Sequence, residues 1–396
     1  MPHPPLKATR QAARAFLRRA LLLDSPAPDV AAALDHLGFV QVDPINVCGR
    51  MHDLILRNRV SGYREGALHA HIHSRGRPGL EHYHPGAGVL VALPFDAWPH
   101  VSARAHRRRS SAQGYSGRLS AAEERLARRI LAEIAERGPL TSDDIEDDSR
   151  AITAWGTHGR RVKTVLEKLF AHARVLISER RRFRRVYDLP ERVLPPSAAS
   201  AEPAAPEATA RWVVEARLRQ RRLVILKKHE VRLVEDLVQR VEVEDCPPLY
   251  CLKTDVPLFE DAARGQVAKV DLHNAGQFLQ PDPLLLAPLD PLIYDRRLAR
   301  SLWDFDYIWE AYTPPAKRKR GYFALPVLSG TDIVGYVDPK ADRKGKKLAI
   351  VSRKVRRGHK LSPAVRDLSE FLGFDVKGKG SGCKSCPAQR RSIFAT

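Results

Sequence analysis

Between Leu119 and Arg137 apolar residues recur at Ala122, Leu126, Ile130 and Ile134, and Gly138-Pro139 ends the run. That spacing puts them on one stripe of a helix, and glycine followed by proline stops it. Thr141, with Asp144 three residues on, marks the start of a short second helix by an acidic variant of the capping box. From Gly159 to His172 the apolar positions Val162, Val165, Leu166, Leu169 and Phe170 predict an amphipathic helix. Its other face carries Arg160, Arg161, Lys163 and Lys168. Val175-Leu176-Ile177 and Val186-Tyr187 then read as two short strands around a tip containing Arg180, Arg181 and Arg182. Helix, short helix, basic helix and basic hairpin is the order of a winged helix. Its basic helix enters the major groove and its hairpin grips phosphate.

Weaker versions of the pattern flank this unit. Helices are predicted over Leu6 to Leu23, Val30 to Leu37, Pro44 to about Arg59, and Arg64 to Ser74, consistent with a first winged helix. Ser197 to Thr209, rich in Ala, Pro and Ser, reads as a linker. Arg211 to about Val243 returns to helical patterning, with a short apolar segment at Leu249 to Leu252. A degenerate third winged helix fits there. Gly321 to Leu328, Ile333 to Val337 and Leu348 to Ser352 alternate as strands of an antiparallel meander, and Ser362 to Leu372 as a last helix. The expected fold is therefore α+β. It divides as a first winged helix over 1–118, a second over 119–196, a linker and third over 197–275, and a small antiparallel β-barrel or sheet with a basic tail over 276–396.

Charge narrows the function. The chain has 67 Lys and Arg against 46 Asp and Glu, a net charge of +21. A small neutral substrate gives such an excess no use. A polyanion does, because each neutralised phosphate releases condensed counterions. Double-stranded DNA is the expected partner. No apolar run approaches membrane-spanning length, and the first ten residues lack the apolar core of a signal peptide. The five cysteines are odd in number and scattered, which fits a reducing compartment. Cys383 and Cys386 form one CxxC without the second pair that a structural zinc needs. His69, His71 and His73 alternate, but a helix would scatter them. The expectation is a monomer in the cytoplasm, associated with the nucleoid, with no metal, cofactor or membrane contact.

One segment carries candidate chemistry: Phe39-Val40-Gln41-Val42-Asp43-Pro44-Ile45-Asn46-Val47. Pro44 disfavours the α region for Asp43, so the segment is predicted extended, and residues two apart then face one space. Gln41 and Asp43 would offer an amide and a carboxylate side by side. The competing reading is structural: Asp followed by Pro is also an ordinary helix start.

Gln41 through Val47, followed by Arg50, His52-Asp53-Leu54 and Arg59, resembles the first-domain signature of the AlkZ/YcaQ family of bacterial DNA glycosylases. A second stretch resembles the same family. It runs from Leu289-Asp290-Pro291 through Phe305-Asp306-Tyr307, Glu310-Ala311-Tyr312-Thr313-Pro314, Lys317-Arg318 and Gly321-Tyr322-Phe323 to Asp338, Lys340, Asp342 and Arg343. The resemblance spans most of residues 6 to 375. It implies three tandem winged helices and a C-terminal β-barrel, arranged as a C around duplex DNA. It also implies that Gln41 and Asp43 are catalytic, and places Arg50, His52, Arg59, Lys317 and Arg318 against DNA beside the basic helix and hairpin. Gln41-Val42-Asp43 matches the Gln-x-Asp form of the YcaQ branch, associated with excision of N7-alkylguanine and unhooking of interstrand crosslinks. The family's Glu-aromatic-aromatic-x-His stretch is altered here, since Glu81-His82-Tyr83-His84 has its histidine one place early.

An N7-alkylated guanine already carries positive charge and leaves without a strong general acid. What remains is to stabilise an oxocarbenium-like sugar and aim a water, and a carboxylate does both. The alternative is a winged-helix transcription factor without chemistry. It accounts for charge and helices equally well but gives Gln41 and Asp43 no role.

Overall fold

The computed structural model describes residues 4–74, 76–147, 149–152, 156–181, 184–264 and 283–374. Arg182, Cys383 and Cys386 lie outside them. The fold is α+β, and its C-terminal part is built on a four-stranded antiparallel sheet.

The chain begins as a strand, Leu6–Ala8, and not as the predicted helix. It pairs in parallel with Val241–Val243, a partner that local periodicity cannot reveal. The helix Arg10–Ala20 follows, with the Thr9 hydroxyl accepting from the Ala12 N–H. Val30–Leu37 is capped by Asp29 and ended by Gly38, whose φ of 75° suits glycine. Val40–Gln41 then pairs with Leu90–Pro94, which in turn pairs with Gly79–Tyr83, giving a three-stranded sheet. The helix predicted from Pro44 is found only over Met51–Leu56, and residues 42–50 form a loop. Ala67–Ile72 is a shortened form of the predicted next helix.

Ala121–Arg137 opens on a full capping box between Ser120 and Glu123 and stops at Gly138. No helix forms after Thr141. Its backbone N–H and hydroxyl both donate to the Asp144 carboxylate, closing a turn. The basic helix Arg161–Ala171 and the hairpin of Leu176–Arg181 with Arg184–Asp188 follow in the expected order. A short hairpin that the sequence did not announce, Arg150–Ile152 with His158–Arg160, lies before that helix.

The segment read as a linker is structured. Pro196–Ala199 and Pro206–Arg221 are helices that begin on proline, and the Ala204 N–H donates to the Pro99 carbonyl. Alanine here serves close packing, as the buried Ala198 and Ala216 beside Trp98 indicate. Lys228–Val234, Val238–Val243 and Leu249–Leu252 complete this region. The last sheet runs Leu284–Leu285, Leu325–Ser329, Asp332–Asp342, Lys347–Val355, each strand beside the next. Ser362–Phe371 closes the described chain as a helix.

The largest core joins the two ends of the sequence: Phe16, Leu34, Leu54, Phe259, Leu285, Phe323, Val337 and Leu368 belong to one cluster. Residues 1–118 therefore share their interior with the C-terminal sheet, and the loop 42–50 is packed against it. Among the described residues no helix is long and apolar enough to cross a membrane.

Candidate active site

Gln41 sits at the end of its strand, and the Val42 N–H still donates to the Leu90 carbonyl, so the backbone stays extended toward Asp43. Gln41 is mostly buried, and its side-chain amide makes no hydrogen bond among the described residues. Asp43 is half-buried and caps no helix. Its Oδ1 accepts from the Ile45 N–H at 2.9 Å, which folds the chain into the loop that follows. Burial raises its pKa, and only that one N–H opposes the shift. The carboxylate thus has no cation beside it among the described residues, in a chain of net charge +21.

The loop is fixed from the C-terminal sheet. The Ala341 N–H donates to the Val47 carbonyl, and Arg343 donates to Asn46 Oδ1 at 2.9 Å. The same guanidinium pairs with both oxygens of Glu65, and Arg50 stands 3.6 Å from Glu65. Glu65 and Arg343 escaped the sequence reading as site residues. Arg343 was legible only as part of the long C-terminal signature, and Glu65 by no local signal.

Several expected DNA contacts are placed elsewhere. Arg59 is fully buried and holds Asp290, also fully buried, through two parallel bonds of 2.7 and 2.9 Å. It ties the first helices to the C-terminal region and cannot reach a phosphate. His52 is fully buried as well, and desolvation pushes its pKa down to about 3, so it is neutral. Arg160 donates to the carbonyls of Ser142 and Ile145 and so fastens the turn before its helix. Arg180 turns away from the hairpin tip. Its Nε donates to Glu81 Oε1 at 2.7 Å and its Nη2 to Glu81 Oε2, joining the hairpin to the sheet that bears Gln41. His73 Nε2 donates to the same carboxylate at 2.8 Å. Burial alone would raise the pKa of Glu81, but bonds from Arg180 and His73 hold it well below the usual carboxylate range. Arg161, Lys163, Arg181 and Lys317 remain at the surface or partly exposed, Arg181 paired to Glu179. Arg318 stacks over the Tyr322 ring at 4.8 Å.

Arg180→Ala is accordingly expected to cost roughly 1.5–3 kcal/mol of stability, the worth of hydrogen bonds to a charged group. The salt dependence of DNA binding should be unchanged. Denaturant melts and binding isotherms at several salt concentrations check this. A stable variant with a shallower salt slope would return Arg180 to the phosphates.

The description "DNA glycosylase AlkZ-like" matches residues 34–370. Among solved structures, the chain is similar to the Streptomyces sahachiroi DNA glycosylase AlkZ, with a TM-score of 0.56 and 15% identity. That match covers 93% of this chain and 98% of the other.

Proposed function

Because this chain belongs to the AlkZ-like DNA glycosylase family, we propose that it hydrolyses the N-glycosidic bond of N7-alkylguanine in duplex DNA, with Asp43 and Gln41 at the reacting centre. The observation that carries this reading is the state of Asp43: a half-buried carboxylate, uncompensated by a cation, two residues after the buried Gln41, whose amide makes no hydrogen bond among the described residues. Such a carboxylate is held ready for a cation that arrives with the substrate. As the glycosidic bond lengthens, positive charge moves from the alkylated base to the sugar, and Asp43 Oδ2 stabilises it while orienting the attacking water. Gln41 supplies a donor and an acceptor to hold that water without altering the charge. Oδ1 is occupied by the Ile45 N–H, which fixes the carboxylate plane.

The pair is read as the Gln-x-Asp form of the family, and interstrand crosslinks at N7 as a second substrate. The helix-and-hairpin units are read as tandem winged helices, and the C-terminal sheet as the barrel element of a groove that embraces duplex. Arg161, Lys163, Arg181 and Lys317 supply phosphate contacts in this reading. The logarithm of affinity for undamaged duplex should then fall against the logarithm of salt with a slope of magnitude above about 3. A flat dependence measured by fluorescence anisotropy would remove the groove.

The deciding assay incubates the protein with a duplex holding one N7-methylguanine and then treats it with alkali. Strand cleavage at the lesion is expected. Tight binding with no abasic site would instead favour a DNA-binding protein without chemistry.

A further inference from the structure

The string Glu310-Ala311-Tyr312-Thr313-Pro314 has no part in the chemistry so far, yet the fold spends two carboxylates on shaping it. Glu310 is buried and accepts from the backbone N–H groups of Lys319, Arg320 and Gly321 at 2.8–3.1 Å, closing residues 310–321 into a loop. Arg318 Nε donates across the loop to the Thr313 carbonyl at 2.8 Å. Asp338 accepts from the N–H groups of Tyr322 and Phe323 and pins the exit. Gly321 is required there: its φ is 132°, and a Cβ would lie 2.0 Å from Asp338 Oδ2. A loop held this firmly presents its tip in one orientation.

Near the start of the loop stands Tyr312, 66% exposed, with Trp309 bracing it at 76° and 5.6 Å between ring centres. The sheet that carries the loop is the one bonded to residues 46 and 47 next to Asp43. Burial raises the Tyr312 hydroxyl's pKa, and the Asp43 carboxylate adds to the effect, which places the two side chains within electrostatic reach. An exposed, braced aromatic ring on the part of the fold bonded to the Asp43 loop serves a planar ligand better than it serves the core.

We propose that Tyr312 is the platform on which the alkylated purine stacks, its electron-rich face recognising the positive charge that distinguishes this base from an undamaged one. The proposal rests on the glycosylase reading and adds the residue that selects the lesion. Asp43 acts on the sugar side of the scissile bond, and Tyr312 holds the base side.

The test compares wild type, Tyr312→Phe and Tyr312→Leu, after thermal melts verify that all three fold. Leucine keeps apolar bulk but has no π face, and the exposed position keeps it clear of the core. Binding is measured to a duplex with one N7-methyl-2′-fluoro-2′-deoxyguanosine, which is cationic and resists cleavage, and to the same duplex undamaged. Excision is measured on the cleavable lesion. Wild type and Tyr312→Phe should prefer the cationic duplex. Tyr312→Leu should bind both alike and lose roughly 10- to 100-fold in excision, the range of one lost base–aromatic stack. A Tyr312→Leu protein that keeps both preference and rate overturns the proposal, as does a Tyr312→Phe protein as impaired as the leucine variant, which would assign the work to the hydroxyl. A wild type that prefers the cationic duplex but never excises would sink the glycosylase reading and leave the stacking role standing.

Discussion

Asp43→Asn is expected to slow excision of N7-methylguanine by about 10²–10³-fold, the cost of removing one preorganised group that faces developing charge. Asparagine keeps the size of the side chain and an Oδ1 that still accepts from the Ile45 N–H, so the loop should hold its shape. Affinity for DNA should stay within a few-fold, since Asp43 contributes no positive charge to the groove. The pH profile adds a second signature. Burial raises the pKa of Asp43, so the acid limb of the wild-type rate should lie above the ordinary aspartate range. Activity is present while the carboxylate is ionised and is lost as pH falls through that raised value. The residual rate of Asp43→Asn should lack the limb. Single-turnover excision from pH 4 to 8 measures both, and near-normal excision by the asparagine variant would reduce Asp43 to a turn residue. Gln41→Ala should cost less, because an amide positions without supplying charge.

Arg59→Met should destabilise the protein by about 3–5 kcal/mol, because it strands Asp290 as a buried charge without its partner. Both side chains are fully buried, and among the described residues the Asp290 carboxylate would retain only the Leu292 N–H as a donor. Adding Asp290→Asn to the methionine variant should recover part of the loss, since the double variant buries no net charge there. Urea denaturation of the single and double variants reads this directly. A methionine variant that melts like wild type but binds DNA weakly would mean that the arginine faces the duplex after all.

Arg59 also marks where reading the chain from its sequence stops working. Its type and its place in a signature pointed to phosphate, and nothing local showed that Asp290 would meet it. Arg180 misled in the same way: five arginines stand between residues 180 and 185, yet this one turns inward to Glu81. A charge shows in the sequence, but the direction of its side chain depends on a partner far along the chain. Elements set by local rules were legible. The helix ending at Arg137, its Gly138 stop, the basic helix and the strands on either side of Ser329 all follow from turns and period, whereas the Ser120–Glu123 box went unread. The expected extended segment is found as a strand over Val40–Gln41, but the loop 42–50 was not legible. Its alternative to a helix is maintained by Asn46, Arg343 and the strand at Ala341, which period-based reasoning cannot bring together.

The N-terminal strand has a consequence for how the protein is made. Leu6, Lys7 and Ala8 pair with Val241, Glu242 and Val243, and just beyond them Arg14 bonds to the Leu302 carbonyl and to Asp332. A ribosome therefore delivers the opening twenty residues long before anything exists to receive them. Until synthesis passes Phe259, the helix Arg10–Ala20 carries Phe16 without the ring it packs on, 4.5 Å away between centres, and Arg14 waits longer still for Asp332. Residues 6–14 are thus made long before the segments they pair with, and the unit bearing Gln41 and Asp43 matures only after residues 241–243 and Asp332 have followed it.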